Sequence, residues 1–337
     1  QMIAGASALL IARALLAPPP LSSSDGEAAS LRFGLQAAAL SGAIALATFV
    51  WSWMELPAEL DPKAYYEMLF WGPGHVVQFT WTLLMLVGWL WLSGLVGAAV
   101  PLTPRMATVL FAIGLSGALI APLIYLNWPV ISVEHNRMFT WLMRFGGGLA
   151  ILPLAMAITI GLLRAPATTG SQRPMRAALI VSMTLFAIGG AIGFTIKGSD
   201  VRIPAHYHGS IVGVTLALMG LAYAIAPRLS GRSLNWRLAE WQVYLYGAGQ
   251  LLHIIGLVWS GGHGVQRKVA GSEQVLDTIG QAAGMGLMGL GGLIAVVGGV
   301  LFVVAMAGVL PPARFATAAG TARGARTGPA SLPEQRR

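Results

Sequence analysis

Eight long apolar stretches, separated by short polar loops, run through the sequence. A helix needs about 20 mostly apolar residues to cross a bilayer, and each stretch reaches about that length. The predicted spans are residues 32–54, 69–100, 106–127, 139–163, 177–196, 206–227, 238–260 and 280–310. Only helices or closed barrels satisfy their backbone polar groups in lipid, so the pattern predicts an all-α, polytopic transmembrane helix bundle.

A shorter apolar stretch, residues 2–16, precedes a loop rich in proline and serine. Arg13 interrupts this stretch, which leaves three interpretations: a ninth span, a helix on the membrane surface, or the remnant of a signal segment. Residues 312–337 are basic, small and polar, which predicts a disordered cytoplasmic tail. The predicted organisation is an N-terminal segment with its loop at 1–31, a transmembrane domain at 32–311, and the tail.

Composition supports a membrane protein and narrows its chemistry. The chain is 56% apolar and 10% charged, whereas soluble domains carry about 25% charged residues. The net charge of +9 comes from cations scattered over loops and the tail, so nucleic acid is not an expected partner. Cysteine is absent. Disulfides, thiolate-bound iron–sulfur clusters and covalent c-type haem are therefore excluded within this chain, and histidine is the expected ligand for redox chemistry.

The loops alternate in charge, which predicts an orientation. Arginines follow every second span, and the positive-inside bias places these loops in the cytoplasm. They include Arg105, Arg164, Arg228 and Arg314. The opposite loops carry most of the acidic residues, starting with Glu55 and Glu59. The expected location is a bacterial-type inner membrane, with all 6 histidines in the outer, periplasmic half and the C-terminus in the cytoplasm.

Two histidines, His206 and His208, stand two residues apart where a polar loop gives way to the sixth span. Successive helical residues rotate by about 100°, so the pair points to nearly opposite faces of one helix. One helix can then ligate two flat cofactors, one on each side. His75 enters the second span at a comparable depth. This geometry predicts a membrane protein that holds two haems near one surface.

The segment Ile203-Pro-Ala-His-Tyr-His-Gly-Ser-Ile, followed by Pro227-Arg-Leu-Ser-Gly, resembles the tenth helix of the catalytic subunit of haem–copper oxidases and nitric oxide reductases. The resemblance implies a reduced subunit I fold with two haems of b type. It implies that His206 holds the catalytic-type haem and His208 the low-spin, electron-transfer haem. His75 resembles the second-helix histidine of the family, which is the other axial ligand of the low-spin haem.

A basic pair extends the resemblance. Trp259-Ser-Gly-Gly-His-Gly-Val-Gln-Arg-Lys is similar to the outer end of the eleventh helix, where two cations meet the haem propionates. Arg267 and Lys268 take those positions, although the family usually has two arginines and a lysine cannot make the same bidentate contact. Solvated loop charges are the alternative for this pair. Arg144, six residues into the fourth span, is expected to pair with a propionate or with Glu134.

The resemblance covers about residues 32–100 and 176–310 and is interrupted between them. The family has six helices in that interval, and this chain has room for two. The missing helices normally carry the three copper-site histidines, and only His135 stands in the interval here. A site for copper held by imidazoles alone is therefore not expected. The candidates for a second, non-haem metal (copper or iron) are Glu134, His135 and His253, and a hydrogen bond or proton relay is the alternative for His253.

These observations predict a di-haem, b-type electron-transfer subunit of a respiratory complex. Electrons are expected from a partner at the outer surface, such as a cytochrome c-type donor, because the chain has no cysteine-bound relay of its own. The first alternative is an oxygen or nitric oxide reductase-type catalytic subunit with an atypical second-metal site. The second is a haem-free membrane scaffold or transporter.

Overall fold

The computed structural model describes residues 26–269, 271 and 274–310. In this part of the chain the helices are α1 Gly26–Glu55, α2 Pro62–Leu95, α3 Pro104–Asn127, α4 Val133–Gly146, α5 Gly148–Arg164, α6 Gln172–Gly193, α7 Arg202–Ser230, α8 Trp236–Gly262 and α9 Ile279–Val309. With α4 and α5 counted together, 8 helical elements are long and apolar enough to cross a membrane. The predicted all-α bundle with eight spans is confirmed. Residues 2–16 and the tail at 312–337 lie outside the described residues.

Several helices begin before their apolar stretches because polar residues cap them. The Asp61 carboxylate accepts hydrogen bonds from the backbone N–H groups of Lys63 and Ala64, which starts α2 well before residue 69. An oxygen at this position satisfies backbone donors that the helix itself leaves unpaired. Helix α1 begins at Gly26, so the predicted domain boundary at residue 31 falls inside this helix.

The fourth span is broken between α4 and α5, at Gly147. Three consecutive glycines, Gly146 to Gly148, stand here, and glycine favours a helix less than any residue except proline. Helix α4 starts at Val133, with the Ser132 side chain accepting from the His135 backbone N–H. His135 therefore lies in the first turn of a helix and not in the loop that the apolar pattern predicts.

Helices α8 and α9 pack closely through glycines. A β-carbon at Gly249 would meet the backbone of Gly291 and Ala295, and one at Gly256 would meet the backbone of Met288. Small residues let membrane helices approach closely, which gives dispersion contacts that lipid cannot replace as well. This packing fixes the rotation of α8 and therefore the direction of its polar side chains.

Helix α7 packs against α2, α6 and α8, and three contacts fix its faces. Ala217 lies against Gly88 of α2. Gly209 lies against the backbone of α6. Tyr223 donates a hydrogen bond of 2.6 Å to the Gln242 side chain of α8. Any residue of α7 can be assigned to one of these faces by its separation from the three reference positions.

We call the end of the bundle at which α2, α4, α7 and α9 begin the histidine end. Towards this end the buried apolar core separates into two clusters. One cluster of buried residues there, among them Val76, Phe79 and Phe139, comes from α1 to α4 and the adjoining loops. Within the described residues, none of this cluster comes from α6 to α9. Helix α2 joins the larger cluster only from Leu83 onwards. At the histidine end, α2 and α7 are therefore not joined by the apolar core.

Gly291→Ala is expected to destabilise the bundle, because the added methyl group would meet the His253 backbone. Overpacking of this kind costs roughly 1–3 kcal/mol. Gly289→Ala on the same helix is the matched control, since no atom lies within 4 Å of its β-carbon position. Thermal unfolding in detergent, followed by circular dichroism, should show a lower Tm for Gly291→Ala alone. Equal melting temperatures for the two variants would contradict the packing.

Candidate functional site

His75 of α2 and His206 of α7 lie at nearly the same depth. The two helices both begin at the histidine end and meet where Gly88 faces Ala217. From that contact, His75 is 13 residues and His206 is 11 residues towards the histidine end. At 1.5 Å per residue these separations are about 20 and 17 Å. The two histidines therefore lie at comparable depth in the bundle, as the sequence predicts.

All 6 histidines donate a hydrogen bond from Nδ1 to an oxygen atom. Five acceptors are backbone carbonyls, which only accept, so Nδ1 carries the proton and Nε2 keeps its lone pair. The pairs are His75 with Trp71 O, His135 with Trp128 O, His206 with Gly189 O, His208 with Gln250 Oε1, His253 with Met288 O and His263 with Trp259 O. Within the described part of the chain, no Nε2 takes part in a hydrogen bond. Metal-binding histidines use this arrangement, with one ring nitrogen held and the other free.

His206 and His208 point to opposite sides of α7, as their spacing predicts. His206 Nδ1 is 2.7 Å from the Gly189 carbonyl oxygen of α6. His208 instead faces α8, where its ring centroid is 4.3 Å from that of His253. Both rings are half-buried. Helix α7 therefore presents one imidazole to each of two separate regions of the bundle.

The resemblance pairs His75 with His208, and helix rotation shows which of the two α7 histidines lies on the face towards α2. Eleven residues separate His206 from Ala217, which returns it to within about 20° of the face that contacts α2. Nine residues separate His208 from Ala217, which puts His208 on the opposite face. Thirteen residues separate His75 from Gly88, which turns His75 about 140° away from the face of α2 that contacts α7. The pairing of His75 with His208 that the resemblance implies stays a prediction.

Two glycines border open space, one beside His75 on α2 and one on α6 next to the residue that holds His206. The His75 ring centroid is 4.7 Å from Trp71 and 6.1 Å from Phe139 of α4. A β-carbon at the neighbouring Gly74 would have no atom within 4 Å, and the same holds for Gly190 of α6. Gly190 follows the residue whose carbonyl holds His206. At each of these two glycines the helix surface is therefore not covered by another part of the bundle.

The loop after α8 connects the histidine ends of α2 and α7. Lys268 forms an ion pair with Glu67 of α2, and Arg267 Nε donates to Ser199 Oγ at 3.2 Å, just before α7. Lys268 was expected to face a propionate, but its charge is already matched by Glu67. Arg267 is half-buried and, among the described residues, forms no ion pair, so it stays a candidate for an anionic group.

Asp200 and Arg202 fix the start of α7. Arg202 Nε lies 2.9 Å from Asp200 Oδ2, and the backbone N–H of Arg202 donates to Asp200 Oδ1 at 2.8 Å. The Arg202 guanidinium holds the pKa of the Asp200 carboxyl below its usual range. This pair lies four to six residues before His206 and anchors the turn from which the two histidines project.

The other predicted ligands do not come together. Arg144 is exposed near the end of α4, and it forms no ion pair with Glu134 among the residues that the structure describes. Glu134 is exposed, whereas His135 is fully buried against Tyr125 and His253 lies on α8. Across residues 26–269, 271 and 274–310, no group of three or more histidine or carboxylate side chains can hold a metal. The predicted set of Glu134, His135 and His253 does not form a site.

Sequence reasoning missed Gln250, which accepts the Nδ1–H of His208 at 3.2 Å. The signal was its position three residues before His253, since residues three apart share a helix face. It also missed Glu67, whose ion-pair partner Lys268 is 201 residues away along the chain. Periodicity within one segment cannot predict a contact between residues so far apart.

Comparison with known proteins indicates bacterial relatives. No family model matches the chain. It is 30% identical over 303 residues to an uncharacterized protein of Rickettsia prowazekii (strain Madrid E), which covers 76% of this chain and 58% of that protein. It is 24% identical over 192 residues to an uncharacterized protein of Aquifex aeolicus (strain VF5), covering 54% and 44% respectively. The chain thus spans about half the length of the curated relatives it matches.

Asp200→Asn is expected to lower the Tm at pH 7. The pKa of this carboxyl is depressed in the folded protein. Its contribution to the free energy of unfolding is therefore complete above the ordinary aspartate pKa of about 3.9, and it is lost as pH falls through the pKa of the folded protein. The difference in Tm between Asp200→Asn and the wild type should therefore become smaller below about pH 4. Asp277→Asn, an exposed loop carboxylate, is the control. An unchanged Tm at pH 7 for Asp200→Asn would contradict a stabilising role.

Proposed function

We propose that this chain is a di-haem, b-type redox subunit that transfers electrons in a bacterial inner membrane, with a fold reduced from the oxidase subunit I type. The observation that carries the proposal is the His206 and His208 pair. Both lie on one membrane-spanning helix, point to opposite sides, and have Nδ1 hydrogen-bonded and Nε2 free. Bound haem would supply one-electron transfer, and without cysteine it would be held by coordination alone.

The residues present fit such a ligand on both sides of α7. On the side facing α2 and α6, we assign His206 to one haem. On the side facing α8, we assign His208 to the other. The hydrogen bonds to Nδ1 orient each ring and keep the second nitrogen unprotonated, which is the state that a metal requires.

The charges at the end opposite the histidines support an orientation. The first helical turns there carry Arg105, Arg173 and Arg237, and the loop before α8 carries Arg232. By the positive-inside bias we assign that end to the cytoplasm. The histidines then lie near the periplasmic face. A periplasmic electron donor, such as a cytochrome c-type protein, would reach them over the shortest distance.

An oxygen or nitric oxide reductase is the less favoured function. Such chemistry needs a second metal near the open haem, and the described residues supply no set of three ligands for one. Two isolated histidine rings on opposite sides of a helix suit electron transfer better. The proposal therefore assigns this chain to electron transport rather than to gas reduction.

Purified protein from haem-replete cells should contain two b-type haems per chain, measured as the pyridine haemochrome against protein. His206→Ala and His208→Ala should each lose one haem, because each removes the ligand on one side of α7. His75→Ala should alter the same haem as His208→Ala, which is the pairing that the resemblance implies. His263→Ala, whose ring is exposed at the end of α8, is the matched control and should retain both.

A haem-free wild-type chain would contradict the proposal. A full complement of haem in both His206→Ala and His208→Ala would contradict the ligand assignment. If His75→Ala instead alters the haem that His206→Ala loses, the pairing that the resemblance implies is wrong.

A further inference from the structure

Gln250 differs from every other group that holds a histidine in this chain. Five of the six histidines donate Nδ1–H to a backbone carbonyl, and only His208 donates to a side chain. A backbone carbonyl remains an acceptor when its residue is substituted, whereas the acceptor on a side chain is lost when that residue is replaced by an apolar one. The environment of His208 is therefore adjustable by a single residue.

Helix α8 supplies both groups that hold the His208 ring. Gln250 accepts its Nδ1–H at 3.2 Å, and His253, one turn further along, packs on the ring with centroids 4.3 Å apart. His253 is itself fixed, because its Nδ1 donates to the Met288 carbonyl of α9 at 2.9 Å. Close packing of Gly249 against the α9 backbone brings this part of α8 into place.

We propose that Gln250 is a positioning residue that sets the orientation and electron-donating strength of His208, and so the redox potential of the haem on that face of α7. The inference rests on the proposed function. An acceptor on Nδ1–H makes Nε2 a stronger donor to a metal. A stronger donor favours ferric over ferrous iron and lowers the potential, since hydrogen bonds around an axial ligand tune it.

Only one of the two haems should respond to Gln250. On the opposite face, His206 is held by the Gly189 carbonyl, which a change at position 250 does not touch. The two centres on α7 are therefore separable by experiment, although their ligands are two residues apart.

The test is a redox titration of the full-length, haem-loaded protein in detergent, followed by the α-bands of the two haems. Gln250→Glu, which places a carboxylate on Nδ1–H, should lower the potential of one haem. Gln250→Leu, which removes the acceptor, should raise it. Mutation of an outer-shell partner of a ligating histidine typically changes metal affinity or activity by 10- to 100-fold, and we expect about a tenfold change in the redox equilibrium constant here. A tenfold change in the equilibrium constant of a one-electron couple is 59 mV.

Gln242→Leu is the matched control. Gln242 lies on the same helix and also makes a side-chain hydrogen bond, to Tyr223 at 2.6 Å, but it lies eight residues nearer the opposite end. This variant should leave both potentials unchanged. The haem that responds to Gln250 must be the one that His208→Ala loses.

Two haems with unchanged potentials in the Gln250 variants would overturn the inference and leave the proposed function standing. A shift confined to the haem that His206→Ala loses would overturn it as well. A wild-type chain without haem would contradict both the inference about Gln250 and the proposed function. If Gln250→Leu does not fold, Gln250→Glu decides alone, because it has the same shape as the native side chain.

Discussion

The hydrogen bond that each histidine donates from Nδ1 is the interaction on which the histidine end depends. In a membrane interior an unpaired ring N–H is costly, so a neighbouring oxygen must accept it. Gly189 of α6 and Gln250 of α8 do so for the two histidines of α7. Once Nδ1 is satisfied, the ring is fixed in one orientation and Nε2 is the atom left for a ligand.

Close helix packing makes these hydrogen bonds possible. Gly189 meets Gly209 backbone to backbone, which brings the α6 carbonyl within reach of His206. On the other side of α7, Gly249 does the same between α8 and α9 and so directs Gln250 towards His208. The many glycines of this chain thus determine chemistry as well as packing, because they set which carbonyl or amide oxygen reaches each ring.

The sequence was sufficient for features that depend on local periodicity. Apolar length predicted the eight spans, and helical rotation predicted the opposite directions of His206 and His208. It was not sufficient for contacts between distant segments. The side of α7 that faces α2 is set by Gly88 against Ala217, far from the histidines, so which α7 histidine lies on that side could not be read locally. The helix starts were also missed, since capping residues such as Asp61 are polar.

We propose that α7 carries a haem on each side, and a cryo-electron microscopy map of the protein purified from haem-replete cells is the test. We expect two porphyrin densities flanking α7 near its first turns, one reached by Nε2 of His206 and the other by Nε2 of His208. A map with both rings packed against α6 and α8, and with no porphyrin on either side, would contradict it.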